Sequence, residues 1–183
     1  MTARLQQHDP TPSPPALIAL QPYVVRPAVP QDREFLAQLY ASTRADELER
    51  AGFPLDQRAA FCRMQFEAQQ HHYALYFARA VDTLLEVDGV PIGRELLARA
   101  ADELFLVDIA LLPEFRGRGI GSQRLALLID ESRALGCPIR LYAEQGSRAE
   151  ALYRRHGFVV TGEEGVHFLM ERAADSARTS DRG

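Results

Sequence analysis

The stretch that most constrains the fold of this chain runs from Leu106 to Gly121, where an apolar segment leads through a proline into a glycine-rich turn. Three of the seven residues from Arg116 to Ser122 are glycines, and a helical pattern follows them directly. Glycines let a ligand approach the backbone closely, and the first turn of a helix presents N–H groups and a dipole that favour anions. The sequence therefore predicts a strand, turn and helix that can bind a phosphate.

The glycine spacing narrows the class of phosphate ligand. A dinucleotide-binding turn has the pattern G-x-G-x-x-G, and a nucleoside triphosphate loop ends in Gly-Lys-Ser/Thr. Gly117, Gly119 and Gly121 instead occupy every second position, and no lysine follows them. Neither nucleotide motif fits, whereas Arg-x-x-Gly-x-Gly does, at Arg116, Gly119 and Gly121. On the residues alone, a purely structural turn remains the alternative.

A second informative segment is Ser147–Phe158. Ser147 and Glu150 have the spacing of a capping box, and Gly157 suits the left-handed residue that ends a helix. The residues at helical spacing between these ends are Ala149, Leu152, Tyr153 and His156. Tyr153 therefore lies on one face of a short helix, and by itself this pattern favours a buried core tyrosine.

Together the two segments resemble the hallmark motifs of the GNAT superfamily of N-acetyltransferases: the acetyl-CoA loop and Ala-x-x-Leu-Tyr-x-x-x-Gly-Phe. The resemblance is strongest from Glu103 to Phe158 and covers nearly all of the expected folded body. It implies an α/β GNAT fold, with a mixed, mostly antiparallel central sheet of about seven strands flanked by about four helices. It also implies transfer of an acetyl group from acetyl-CoA to a primary amine of a small molecule, or of a protein or peptide, by direct attack on the thioester.

The resemblance assigns coenzyme binding to the end of a strand, the glycine turn and the start of the later helix. The residues expected to contact acetyl-CoA are Ile109, Ala110, Leu111, Arg116, Gly117, Arg118, Gly119, Ile120, Gly121, Ser122 and Ser147. Many members carry an asparagine near the start of that helix, where this chain has Gly146 and Ser147. Serine can cap the helix but reaches less far than asparagine. No metal is implied.

The same resemblance places Tyr153 beside the thioester sulfur as a general acid. An amine such as lysine has a pKa near 10.4, so exposing its neutral form at pH 7 costs about 4–5 kcal/mol, which a nearby base can help supply. Asp108 is the candidate base because it interrupts an apolar strand, and the alternative that it only bonds the backbone or an arginine stays equally open. Glu144 and Tyr142 are further candidates, acting through a water, whereas Glu103 is expected in solvent.

The acceptor side is the least constrained part of the prediction. In this superfamily the first two helices and the last hairpin form the walls of the acceptor cleft. Polar residues of these elements are Arg44, Glu47, Gln65, Gln69, His72 and His167. Gln65, Gln69 and His72 share one helical face that is polar where a core helix would be apolar, although ordinary surface roles remain open for all six.

Hydrophobic periodicity predicts the order strand, two helices, three strands, helix, strand, helix and two strands. Asp88-Gly89 predicts a hairpin turn, and Leu104–Leu112, apolar on both faces, is expected at the centre of the sheet. The final hairpin is expected to turn over Gly162–Gly165. The side chains expected to form the buried stripes of three helices are Phe35, Leu36, Leu39 and Tyr40, then Phe61, Met64, Ala68 and Leu75, and then Leu125, Leu128, Ile129 and Leu135.

Composition limits the remaining classes. The 183 residues suffice for one domain, expected over residues 22–172, with loose tails at residues 1–21 and 173–183. A net charge of −4 gives no attraction to nucleic acid or an anionic membrane. Cys62 and Cys137 lack metal-ligand spacing and are expected to be buried or idle thiols of a cytoplasmic protein. No apolar run is long enough to span a bilayer.

Two functional classes follow from the sequence. The leading one is an acetyl-CoA-dependent N-acetyltransferase, and the alternative is a non-catalytic module of the same fold that binds acyl-CoA as a sensor or interaction partner. Retention of Tyr153 together with an intact glycine turn favours the enzyme. The sequence leaves open the acceptor amine, the preferred acyl length and whether the chain forms a homodimer.

Overall fold

The computed structural model describes residues 22–174. The tail predicted at residues 1–21, and all but the first two residues of the tail predicted at 173–183, lie outside the described residues. The elements are β1 (Val24–Pro27), α1 (Arg33–Arg50), α2 (Leu55–Tyr76), β2 (Val81–Val87), β3 (Val90–Arg99), β4 (Leu104–Leu111), α3 (Ile120–Leu135), β5 (Ile139–Glu144), α4 (Arg148–Arg155), β6 (Val159–Glu164) and β7 (His167–Arg172). Short 3₁₀ turns at Pro30–Asp32 and Pro113–Phe115 precede α1 and the glycine turn. This is the element order that the periodicity predicts.

The strands form one seven-stranded sheet in the order β1-β2-β3-β4-β5-β7-β6. All neighbouring pairs are antiparallel except β4 and β5, which are parallel. The predicted α/β architecture, with a mostly antiparallel sheet of seven strands and four helices, is confirmed within the described residues. β4 is the fourth of the seven strands, as its two apolar faces indicate.

The helices cover the sheet from both sides. On one side, here called the α3/α4 face, lies the main core. Its buried members are Leu97, Leu104, Leu106, Leu125, Leu128, Ile129, Cys137, Ile139, Leu141, Ala143, Tyr153, Phe158 and Met170. On the opposite side, the α1/α2 face, a smaller cluster joins Leu36 and Ala37 of α1 to Phe66 of α2 and Leu84 of β2. Side chains of successive strand residues therefore alternate between two differently lined faces.

The stripe predicted for α2 is wrong. Met64 and Leu75 are 58% and 63% exposed, whereas Cys62 and Phe66 are buried. The inward face of α2 continues through half-buried Gln69 and Tyr73. Because this inward face is partly polar, the apolar periodicity predicted burial for a neighbouring face of the helix instead.

Two further expectations are corrected at the ends of elements. Leu135 is exposed because it is the last residue of α3, beyond the last buried position at Ser132. The final hairpin turns at Gly165-Val166, since Gly162 lies inside β6 at an irregularity of its pairing with β7. The Asp88-Gly89 turn is confirmed, with positive φ values of 52° and 76°.

The two cysteines are buried free thiols, as expected. Within residues 22–174, none of the helices combines the length and the apolar character that crossing a bilayer requires.

Candidate active site

The central strands separate into a wedge. β4 pairs with β5 only over Leu104–Leu106 and Ile139–Leu141, although β4 continues to pair with β3 as far as Leu111. Beyond Leu106 the two parallel strands diverge, and the backbone groups of Ile109–Leu111 that point away from β3 open into this wedge. The sequence predicted coenzyme contacts at these residues, and this stays a prediction; the Leu111 carbonyl accepts a bond from Arg116 in the present arrangement.

A bulge at the start of the wedge sets the direction of Asp108. Leu97 pairs with Leu106 but Leu96 pairs with Asp108, so Val107 is an extra residue on β4. Such a bulge bends a strand and redirects the side chain that follows it. Asp108 consequently lies on the α1/α2 face, together with Ala110, and Ile109 packs on the α3/α4 face.

The glycine turn forms the N-terminus of α3. Gly117 and Gly119 have φ values of 71° and 85°, which favour glycine. The first intrahelical bond runs from the Gln123 N–H to the Gly119 carbonyl at 2.9 Å. The N–H groups of Ile120, Gly121 and Ser122 precede that bond and point out of the helix, as a phosphate site requires. A coenzyme contact here stays a prediction.

Two side chains of the glycine turn, those of Ile120 and Arg116, contact the protein itself. The Ile120 side chain is buried with Leu85 and Ile92, so only its backbone can contact a ligand. The Arg116 Nε donates to the Leu111 carbonyl at 2.7 Å, and its Nη2 donates to Ser42 Oγ of α1 at 3.2 Å. Arg116 therefore links the turn to α1.

Asp108 borders a cavity of about 40 Å³ on the α1/α2 face. The cavity is lined by Leu36, Leu39, Tyr40, Thr43, Gln69, Arg94, Asp108 and Ala110. The Asp108 side chain is 25% exposed, and Oδ2 is 3.6 Å from Arg94 Nη1. Burial raises the pKa of Asp108; the Arg94 guanidinium opposes this rise and the Asp82 carboxylate adds to it. Both readings of Asp108 left open by the sequence, base and arginine partner, are compatible with this position.

Tyr153 occupies the other face of the sheet. It is buried in the main core beside Phe158, with 5.7 Å between the ring centroids. Burial raises its pKa above the ordinary value for tyrosine, and the negative charge of Asp108 raises it further. Asp108 lies on the α1/α2 face of the sheet and Tyr153 on the α3/α4 face, near enough for the Asp108 charge to act on the tyrosine hydroxyl. The hydroxyl stays protonated at neutral pH and is available as a donor.

The sequence reasoning missed the network behind Asp108. Arg94 is only 4% exposed, and its Nε and Nη2 each donate to an Asp82 carboxylate oxygen at 2.8 Å. The guanidinium lies over the Tyr73 ring, 5.3 Å from its centroid. The available signal was the adjacent pair Arg94-Glu95 inside an otherwise apolar strand. Glu95 is equally buried and accepts two bonds from Arg124 of α3, at 2.9 and 2.6 Å.

The predicted acceptor residues divide into two groups. Gln69 lines the cavity, and Gln65 lies half-buried on the same helix. Arg44 reaches the cavity wall through Tyr40, with 3.4 Å between Nε and the tyrosine oxygen, and pairs with Glu47 at 2.7 Å. His72 is instead exposed, and its ring lies tilted against that of Tyr76 with 4.5 Å between the ring centroids.

The remaining candidates lie on the C-terminal half of the sheet. Tyr142 and Glu144 are exposed on β5, and Glu144 pairs in register with His167 of β7. The neighbouring Glu164 carboxylate raises the pKa of Tyr142. Glu103 was expected in solvent. It directly precedes β4, at the end of that strand away from the wedge, and its carboxylate accepts a hydrogen bond from Arg140 Nη1 at 3.1 Å.

The start of α4 confirms the predicted cap with one change. Ser147 Oγ accepts from the Glu150 N–H at 3.1 Å. The Glu150 carboxylate accepts from the Gly146 N–H at 2.6 Å, one residue earlier than the capping box requires. Ser147 is thus engaged in the helix cap, and its predicted coenzyme contact remains untested.

Comparison with known families gives a match over most of the chain. The model of the acetyltransferase (GNAT) family matches residues 36–158. The comparison with curated protein sequences found no significant match.

Solved structures share the fold. The PaiA N-acetyltransferase from Thermoplasma acidophilum, solved in complex with coenzyme A, has 19% identity and a TM-score of 0.64, with 83% of this chain and 99% of that chain covered. A structure from Corynebacterium glutamicum, described as histone acetyltransferase HPA2 and related acetyltransferase, has 22% identity and a TM-score of 0.60, covering 84% and 97%. Ard1 from Thermoplasma volcanium has 16% identity and a TM-score of 0.54, covering 84% and 98%.

Proposed function

Since the chain belongs to the GNAT family of acetyltransferases, we propose that it transfers the acetyl group of acetyl-CoA to a primary amine of a small molecule, or of a protein or peptide. The observation that carries this proposal is the position of Asp108 at the α1/α2 cavity, on the part of β4 that has separated from β5, with Tyr153 on the opposite face of the sheet. One face can therefore supply a proton acceptor for an incoming amine, while the other supplies a donor for a leaving thiol.

The coenzyme enters this scheme from the α3/α4 side. Its pyrophosphate binds the N–H groups at the start of α3, where the helix dipole favours negative charge. The pantetheine arm follows the backbone of Ile109–Leu111, whose polar groups open into the wedge. The thioester then lies between Asp108 and Tyr153.

The acceptor amine enters from the α1/α2 side through the cavity beside Asp108. Asp108 takes a proton from the ammonium group, directly or through a water, and the neutral nitrogen attacks the thioester carbonyl. The raised pKa of Asp108 makes this carboxylate a stronger base than an exposed aspartate. The tetrahedral intermediate then expels the coenzyme thiolate, to which the Tyr153 hydroxyl donates a proton. The attacking nitrogen loses its second proton, which returns to Tyr153, and Asp108 releases the first proton to solvent, so the products are an amide and free coenzyme A.

The size of the cavity predicts the shape of the acceptor. A volume of about 40 Å³ with Leu36, Leu39 and Ala110 in its walls accommodates an aminomethyl group better than a branched carbon. We expect a straight-chain primary amine to have a kcat/KM about tenfold or more above that of its α-branched isomer, because one misplaced methyl group in a tight site costs about 1–3 kcal/mol.

The experiment measures coenzyme thiol release and the mass of the product for matched pairs of straight and branched amines. The chain contains no lysine, so acetylation of its own ε-amino groups adds no background. Acetyl-CoA binding without thiol release across amines, amino acids and peptides would contradict the enzyme and support a sensor. Equal rates for both isomers would contradict the cavity as the acceptor site.

A loop variant tests the coenzyme side. Gly119→Val is expected to raise the dissociation constant of acetyl-CoA by about ten- to a hundredfold, because a β-branched residue at this positive φ strains the turn by about 1–3 kcal/mol. Calorimetry gives the affinity, and thermal unfolding monitors the fold. Gly136→Val is the matched control, since Gly136 has a φ of 67° at the other end of α3. Equal affinity in both variants would contradict the loop assignment.

A further inference from the structure

The Arg94 guanidinium, which lies behind Asp108, is shared between two carboxylates. β2, β3 and β4 are neighbours in the sheet. The Arg94 side chain of β3 lies between Asp82 of β2 and Asp108 of β4. A planar guanidinium can bind a single carboxylate through two donors, and it does so here with Asp82. The distances of 2.8 Å to Asp82 and 3.6 Å to Asp108 show that the sharing is unequal.

The position of Arg94 is maintained by its surroundings. Its Nη2 also lies 3.4 Å from Gln70 Oε1, and its plane rests on the Tyr73 ring. Only Nη1 faces Asp108, at a distance beyond that of a hydrogen bond. Asp108 therefore experiences a cation whose charge is largely compensated by another carboxylate.

We propose that Asp82 is a positioning residue that holds the Arg94 guanidinium away from Asp108, so that Asp108 remains a competent base for the acceptor amine. The inference rests on the proposed function, because it gives the Asp82 contact a role in that reaction. A bidentate Arg94–Asp108 pair would stabilise the charged carboxylate and make it a weaker base.

The other groups that face Asp108 are uncharged and do not substitute for the effect of Asp82 and Arg94 on its carboxylate. Tyr73 of α2 and Tyr153 of α4 both have pKa values raised by burial and by the Asp108 charge, so both are neutral in the working range of pH. Tyr40 of α1 lines the same cavity as Asp108. The Asp82 and Arg94 charges thus decide whether Asp108 is paired or free.

The experiment compares Asp82→Asn with the wild-type chain in two measurements. Carbon-13 NMR gives the pKa of the Asp108 carboxyl, whose signal is identified by its loss in Asp108→Asn. The pH profile of kcat/KM gives the pKa of the group that acts as base in the reaction. We expect the Asp108 pKa and the ascending limb of the profile to move down together by about one pH unit, because a charge at this range shifts a pKa by about 1–3 units. The same acceptor amine is used throughout, so its own titration is constant.

Two controls separate positioning from general damage. Asp82→Glu retains a carboxylate and is expected to restore the titration to near its wild-type position. Glu86→Gln removes a carboxylate from the same strand that pairs with Arg26 at 2.7 Å, and is expected to leave the Asp108 titration unchanged. If Asp82→Asn fails to fold, Arg94→Gln tests the same arrangement with the opposite sign, since loss of the cation moves the Asp108 pKa up.

The outcomes decide between the proposals. An Asp108 titration that stays in place or rises in Asp82→Asn would overturn the role of Asp82, as would a fall in Arg94→Gln. A titration that moves while the rate profile stays in place would overturn Asp108 as the base that Asp82 serves. Absence of turnover in the wild-type chain would contradict the proposed function, and the NMR titration would still decide whether Asp82 controls the charge of Asp108.

Discussion

Asp108→Asn is expected to lower kcat by about 10²–10⁴-fold, the range lost when a positioned general base is removed. The amide keeps the shape of the side chain but cannot accept the proton of the acceptor ammonium. The fold should tolerate the change, because Arg94 keeps its two bonds to Asp82 and the site already disfavours a charged Asp108. Single-turnover and steady-state rates, with acetyl-CoA affinity from calorimetry, measure the effect.

The control for Asp108→Asn is Glu144→Gln. Glu144 is a carboxylate on the neighbouring strand and remains the alternative base acting through a water. We expect kcat of the Glu144→Gln variant to stay within about tenfold of wild type, since an exposed carboxylate contributes less to catalysis than one in the cavity. A large loss in Glu144→Gln with a near wild-type rate in Asp108→Asn would transfer the role of base to Glu144. Loss of acetyl-CoA binding in Asp108→Asn would make Asp108 a structural residue.

Tyr153→Phe is expected to lower kcat by about ten- to a thousandfold with little change in acetyl-CoA affinity. A thiol with a pKa near 8.5 leaves tolerably well without help, so the reaction slows but does not stop. Burial raises the pKa of Tyr153, so complete proton transfer to the thiolate is uphill and a hydrogen bond to sulfur supplies much of the effect. Rates with the best acceptor, measured across pH, test this expectation.

Stability distinguishes this role from a structural one. Phenylalanine keeps the ring that packs beside Phe158, so unfolding free energy should fall by less than about 1.5 kcal/mol. Tyr142→Phe is the matched control, because it removes an exposed hydroxyl from β5. A wild-type kcat in Tyr153→Phe would contradict the general-acid role. The tyrosine motif would then mark only a helix that shapes the cleft.

Local features of the fold were readable because neighbouring residues determine them. Asp88-Gly89 forms the predicted hairpin, and Ser147 caps α4. Gly157 has the left-handed backbone expected where that helix ends, with a φ of 84°. The apolar stripe of α1 was also predicted correctly, whereas that of α2 was not, because α2 turns Gln69 toward the cavity and half-buries Tyr73.

The sequence by itself determined the order of the elements, the glycine turn at the start of α3 and the helix that carries Tyr153, since each depends on a short run of residues. Only the tertiary structure decided that Asp82, Arg94 and Asp108 meet, because their approach depends on the register of three strands and on one bulged residue, Val107. It likewise decided that Asp108 and Tyr153 lie on opposite faces of the sheet. The physical reason is that turns and caps depend on local backbone preferences, whereas this site depends on how distant strands pair and then separate.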